Sequence, residues 1–92
     1  MITIERYTAP WCGPCRMVGP IMEEIKNNYA GNDTITFVTI DVDENPERAA
    51  GVNVRSIPAV IVYRNGVEVE RFAGVQPKAK YVNAIEEQLK FQ

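Results

Sequence analysis

The sequence predicts one α/β domain spanning residues 1–92, with the element order β-α-β-α-β-β-α. Three observations carry that expectation. Runs dense in β-branched residues alternate with runs whose apolar residues recur at helical spacing. Proline, asparagine and glycine fall where those runs begin and end. The last two strand-like runs are separated by Asn65-Gly66, a strong short hairpin signal, so the chain ends on an antiparallel pair and a helix.

Residues 2–8 read as the first strand, with Ile2, Ile4 and Tyr7 apolar; Pro10 has no N–H for a ladder and ends it. Cys12-Gly13-Pro14-Cys15 then opens a helix, where proline is tolerated because first-turn N–H groups lack helical partners anyway. Met17, Val18, Ile21, Met22, Ile25 and Tyr29 recur at three- and four-residue steps, which predicts helix over 16–29 with one stripe facing the core. Pro20 should kink that helix and Gly31-Asn32 should stop it. Residues 34–42 read as the second strand. Asn45-Pro46-Glu47 is a helix start, with Asn45 as cap, and Gly51 is expected to close that short helix. Residues 58–63 are almost wholly apolar, as suits a strand covered on both faces. Asn65-Gly66 predicts a type I′ turn, and residues 67–73, carrying Glu68, Glu70 and Arg71, an edge strand. A final helix starts near Pro77, with Tyr81, Val82, Ile85 and Leu89 on its buried stripe.

Bulk composition narrows the function. A net charge of −2 supplies neither a basic footprint for nucleic acid nor a polybasic patch for a membrane surface. No run of about 18 apolar residues could span a bilayer. The N-terminus carries no basic segment followed by an apolar one, so the expected compartment is the reducing cytoplasm. Histidine is absent, which removes imidazole acid–base catalysis and most zinc sites.

Chemistry concentrates at Cys12 and Cys15, the only two cysteines. Four readings compete. A metal centre needs about four Cys/His ligands and finds two, so no metal is expected. A structural disulfide across so short a loop stabilises by only about 2 kcal/mol in the chain-entropy model and ties no distant elements together. Inert buried thiols fit poorly beside Gly13 and Pro14 at a strand-to-helix junction. The fourth reading is a redox pair: a helix N-terminus with about half a positive charge and unpaired N–H donors favours a thiolate. Cys12, before the helix, is then expected to be exposed and to attack a substrate disulfide; Cys15, shielded one turn in, resolves the mixed disulfide. Acidifying a thiol from about 8.5 to about 7 raises its thiolate fraction at neutral pH roughly 15-fold. Intrinsic nucleophilicity falls roughly 5-fold over the same change, leaving a net gain of only about 3-fold. Substrate docking and the adjacent resolving thiol must therefore supply most of the rate.

The sequence resembles the thioredoxin family. The matching residues are Trp11-Cys12-Gly13-Pro14-Cys15, Pro20, Asp43 with Asn45-Pro46, Ser56-Ile57-Pro58, Asn65-Gly66 and Gly74, in family order over nearly the whole chain. The resemblance implies a thioredoxin-like fold without the family's N-terminal strand and helix: four strands in order 2-1-3-4, with helices on both faces. It makes Cys12 the nucleophile, Cys15 the resolving thiol and Trp11 the aromatic lip of the site. It places a cis bond before Pro58, beside the dithiol, and has the backbone of Ile57 pair with an extended substrate segment. Val42, Gly74 and Val75 would line the same shallow groove, with Gly13 and Pro14 at its rim. No bound cofactor is implied beyond the redox-active Cys12–Cys15 disulfide.

Two departures stand out. Without the N-terminal elements, residues 34–42 become an edge strand, through which a mostly monomeric protein could pair weakly. Family members commonly carry a buried Asp six residues before the first cysteine, with a Lys partner on the next strand; here those positions are Arg6 and Thr39. Arg6 is expected to pair with Asp41 near Cys15 and to lower its thiol pKa.

The function implied is thiol–disulfide oxidoreductase: reduction of disulfides in protein substrates, with electrons from a thioredoxin-reductase-like donor. Two alternatives remain. One is a glutaredoxin-like protein drawing on glutathione, which Gly13-Pro14 between the cysteines does not favour. The other is a redox-inert binding subunit of the same fold, which the two intact cysteines do not favour.

Overall fold

Two periodicities in the sequence build two layers on one sheet. The computed structural model describes residues 1–91 and orders them as β1 (Ile2–Thr8), α1 (Cys15–Asn28), β2 (Ile35–Asp41), α2 (Pro46–Gly51), β3 (Ala59–Arg64), β4 (Val67–Ala73) and α3 (Lys78–Leu89). The four strands form one sheet in the order β2-β1-β3-β4. β1 and β2 run parallel, joined through α1, while β3 is antiparallel to both β1 and β4. The parallel pair needs a crossover and the hairpin does not, which is why one helix separates β1 from β2 and two residues separate β3 from β4.

Side chains alternate faces along each strand, and both faces are covered. Ile2, Ile4, Ile35, Val60 and Val62 pack with Val18, Met22 and Ile25 of α1 and with Tyr81 and Ile85 of α3. On the other face Tyr7, Ile40, Ala59 and Ile61 pack with Ala49 of α2. β3 serves both layers at once, so its sequence reads as unbroken apolar residues. Each fully buried aliphatic side chain contributes about 1.5–3 kcal/mol relative to exposure.

The turns obey the expected chemistry in part. Asn65 and Gly66 both have positive φ, 52° and 83°, as a type I′ hairpin turn requires. α1 continues through Pro20, and Lys26 lies in its last turn, where a cation suits the helix C-terminus. Three local expectations are corrected. Met17 lies on the solvent side of α1, 62% exposed, because the buried stripe runs through Cys15, Val18, Met22 and Ile25 and Met17 sits about 100° around the helix from Val18. Asn45 occupies the N-cap position of α2, but its side chain makes no cap bond; Nδ2 donates instead to the Asp41 carbonyl at 3.1 Å. Gly51 is the last residue of α2, and the left-handed residue beyond it is Asn53, at φ 60°. No helix among the described residues is long and apolar enough to cross a membrane.

Candidate active site

The site is assembled where the C-terminal end of β1 hands over to α1. Thr8 ends the strand, and Cys12 closes a turn by donating its N–H to the Ala9 carbonyl at 3.1 Å. Arg16 and Met17 donate to the Gly13 and Pro14 carbonyls at 3.0 and 3.1 Å, so helical bonding starts within the motif while α1 proper begins at Cys15. Cys12 and Cys15 are joined by a disulfide, with Cα atoms 5.3 Å apart. Cys12 Sγ accepts the backbone N–H of Cys15 at 3.2 Å. That amide is one of the orphan donors at the start of α1, so the helix places positive potential on the first sulfur.

The expected difference in exposure between the cysteines is not found. In the disulfide form Cys12 is 4% and Cys15 3% exposed. The cause is packing: Ala9 lies against both cysteines, and Val42 and Ile57 close over them. What distinguishes the two is position, with Cys12 before the helix as acceptor and Cys15 inside it as donor.

Beside the disulfide runs a groove of about 270 Å³ lined by Trp11, Val42, Ala49, Val54, Arg55, Ser56 and Ile57. Trp11 forms its lip, 66% exposed, and its indole Nε1 donates to Asp43 Oδ2 at 2.9 Å. The Ile57–Pro58 bond is cis, as the resemblance implied, and Pro58 is fully buried. Gly74, at φ 74°, donates its N–H to the Pro58 carbonyl at 2.9 Å, which ties the end of β4 to the start of β3. Among the described residues the backbone of Ile57 has no backbone hydrogen-bond partner. Of the residues expected at the groove, Trp11, Val42 and Ile57 line it; Gly13 and Pro14 are exposed beside it, and Gly74 and Val75 lie outside its lining.

Arg6 and Asp41 do not pair, contrary to expectation. The parallel register sets Arg6 opposite Thr39 and Asp41 opposite Thr8. Arg6 Nη2 donates to Thr39 Oγ1 at 3.3 Å, and its Nη1 lies 3.5 Å from where a Cβ on Gly19 would sit. Burial lowers the Arg6 pKa from its ordinary value, opposed by nearby Glu23. Asp41 is occupied elsewhere: its Oδ1 accepts the Asp43 N–H at 2.8 Å, shaping the turn that presents Asp43 to Trp11.

Beneath the groove, on the α2 face of the sheet, lies a buried polar group that sequence reasoning did not single out. Glu5 accepts from the Tyr7 hydroxyl at 2.9 Å and pairs with Arg48 of α2. Burial, then the hydrogen bond to Glu5, pushes the Tyr7 hydroxyl up to about 12. The pair fastens α2, which carries the groove residue Ala49, to the central strand. Its only signal in the sequence is an acid in the middle of a strand-like run. Ala49, Val54, Arg55 and Asp43 were likewise missed as site residues; they are ordinary residues until α2 and two loops fold over the disulfide.

The thioredoxin family model matches residues 2–87. The chain belongs to the thioredoxin family. It is 41% identical over 88 residues to the thioredoxin of Staphylococcus saprophyticus subsp. saprophyticus, covering 96% of this chain and 83% of that protein. It is 39% identical over 83 residues to thioredoxin 1 of Synechococcus elongatus, covering 90% of this chain and 76% of that one. Among solved structures, Fasciola hepatica thioredoxin superposes with a TM-score of 0.84 at 31% identity, covering 95% of this chain and 80% of that one. A mutant thioredoxin from Halobacterium salinarum NRC-1 superposes with a TM-score of 0.83 at 31% identity, covering 95% and 74%. The chain thus has the thioredoxin fold and is a thiol–disulfide oxidoreductase of the protein-disulfide reductase type, with Cys12–Cys15 as its redox-active pair. Among the described residues no cluster of His, Cys, Asp or Glu could hold a metal ion.

Proposed function

We propose that Cys12 is the attacking thiol, Cys15 the resolving thiol, and the groove at Ile57 the dock for an extended segment of a disulfide-bonded protein substrate. The observation that carries this is the Cys15 N–H donated to Cys12 Sγ at the helix start. A donor and a helix terminus aimed at one sulfur stabilise negative charge there, both when it attacks and when it leaves. The apolar groove beside that sulfur, with Ile57 backbone available for strand-like pairing, supports docking by β-augmentation.

In the reduced protein the Cys12 thiolate attacks one sulfur of the substrate disulfide, and the other substrate sulfur leaves as a thiolate and takes up a proton. Cys15 gives up its proton and attacks the Cys12 sulfur of the mixed disulfide, releasing the second substrate thiol. Two electrons and two protons pass to the substrate, and the Cys12–Cys15 disulfide re-forms. A thioredoxin-reductase-like dithiol donor returns two electrons to it. The working unit is a monomer in the cytoplasm, with the β2 edge as the place for weak self-pairing. Arg6, held over Gly19 one turn beyond Cys15, acts on the resolving thiol as a nearby cation.

Insulin-disulfide reduction with dithiothreitol tests the roles. Cys15→Ser should accumulate a mixed disulfide through Cys12 and Cys12→Ser should not; a trapped adduct on Cys15 in the Cys12→Ser protein overturns the assignment. Turnover sustained by thioredoxin reductase but not by glutathione is the result expected for the donor, and the reverse would make the protein glutaredoxin-like. Full biological activity in a Cys12→Ser, Cys15→Ser double variant would move it to a redox-inert binding role.

A further inference from the structure

We propose that Arg71 is a positioning residue that holds the outer wall of the substrate groove in shape. The proposal rests on the reading of that groove as the protein-substrate dock. Val54, Arg55, Ser56 and Ile57 line the groove from a segment that is neither helix nor strand, so something outside it must fix its path. Two short-range ties reach the segment from the residues just before it: Val54 donates its N–H to the Ala49 carbonyl at 2.9 Å, and Arg55 Nε donates to Asn53 Oδ1 at 3.1 Å. The external tie comes from β4. Arg71 Nη2 donates to the Val52 carbonyl at 2.8 Å and Nη1 to the Asn53 carbonyl at 3.4 Å. Val52 is the C-cap of α2, so these carbonyls lie at a helix end, where acceptors lack helical partners and carry partial negative charge.

The guanidinium is itself held. Glu68 accepts from Arg71 Nε at 2.8 Å and from Nη2 at 2.7 Å, a two-pronged pair that leaves the far edge of the fork for the backbone. Residues three apart on a regular strand point to opposite faces, so this pair should not form. A bulge permits it. The β3–β4 register pairs Tyr63 with Glu68, Val62 with Glu70 and Ile61 with Arg71, leaving Val69 as the extra residue. Glu68 and Arg71 are therefore both opposite residues of the α2 face, Tyr63 and Ile61. One inserted residue in an edge strand thus connects the hairpin to the groove wall on the α2 face of the sheet.

The wall matters to a substrate that docks along it and not to a small disulfide that needs only to reach the Cys12 sulfur. Steady-state reduction of insulin and of 5,5′-dithiobis(2-nitrobenzoate) should separate the two. Arg71→Ala is expected to raise KM for insulin about 10-fold, the lower end of what losing one hydrogen bond from a charged group costs. Its kcat and its rate with the small disulfide should each stay within about 2-fold, since no group that touches the sulfurs changes. Arg71→Lys should recover part of the loss, because an ammonium reaches one carbonyl but has no fork. Ile57→Ser is the control for the groove. If it raises the insulin KM and Arg71→Ala does not, the positioning role is wrong while the groove stands; if neither does, the groove reading fails and this one with it. Equal losses on both substrates would mean general damage and would also overturn the role. Should Arg71→Ala not fold, amide hydrogen exchange in Arg71→Lys decides: faster exchange confined to residues 53–57 supports the tie, and unchanged exchange refutes it.

Discussion

Replacing Tyr7 by Phe should weaken the protein at neutral pH, and that deficit should shrink as the pH rises toward 11. Tyr7 is fully buried, and its hydroxyl donates to Glu5, which also pairs with Arg48. Removing a hydrogen bond to a charged acceptor costs about 1.5–3 kcal/mol, and Arg48 remaining on Glu5 argues for the lower end. The alkaline effect has the opposite sign. Burial first, then the bond to Glu5, raises the Tyr7 pKa from 10.0 to about 12. Below pH 10 the hydroxyl is protonated in both states and its bond is intact. Between 10 and 12 the unfolded chain releases the proton more readily than the folded one, so stability falls as pH rises. At pH 11 the native chain has lost about 1.4 kcal/mol by this linkage, and the full two-unit shift corresponds to about 2.7 kcal/mol. Phenylalanine has nothing to titrate, and the other tyrosines cancel between the two proteins. The stability gap should thus nearly close by pH 11. Urea unfolding of the oxidised proteins, followed by far-UV circular dichroism at pH 7 and pH 11, measures it. An equal gap at both values would refute the assignment of this tyrosine as the buried donor to Glu5.

Three further outcomes are expected. In the reduced protein, Arg6→Ala should raise the pKa of the Cys15 thiol, since it removes a cation held over Gly19; thiolate absorbance against pH measures this, and an unchanged titration disproves it. Asp43→Ala should free the indole of Trp11, at a cost of about 1 kcal/mol or less because the bond is exposed. As Trp11 is the only tryptophan, its fluorescence anisotropy should drop, and an unaltered value would show that Asp43 does not hold it. Gly74→Ala should cost about 1–2 kcal/mol: a Cβ there meets open space, so the penalty is that of a left-handed backbone alone. A neutral effect on the unfolding midpoint would mean that the backbone relaxes out of that conformation.

The elements and the dithiol were open to reading because their signals are local. Apolar spacing in α1 and α3, the unbroken apolar run of β3 and the Asn65-Gly66 turn each depend on neighbours within a few residues. Met17 escaped that logic because it stands beside the stripe of Val18, Met22 and Ile25, and packing decides how wide a stripe is covered. Arg6 and Asp41 share one face of the sheet, yet the expected pairing failed on register and competition: Thr39 lies opposite Arg6, and the turn at Asp43 claims the carboxylate.

By itself, then, the sequence determined the strands, the helices and the dithiol motif, since periodicity, turn chemistry and cysteine spacing are written in adjacent residues, and it determined the family because the matching residues recur in order along nearly the whole chain. Tertiary structure alone decided the rest. It buried both sulfurs under Ala9, Val42 and Ile57, joined Glu5 to Arg48 across 43 positions, and used a bulge at Val69 to aim Arg71 at the groove wall. Those outcomes depend on which strands neighbour one another and in what register, and a change of one residue in register reverses the face of every side chain on a strand.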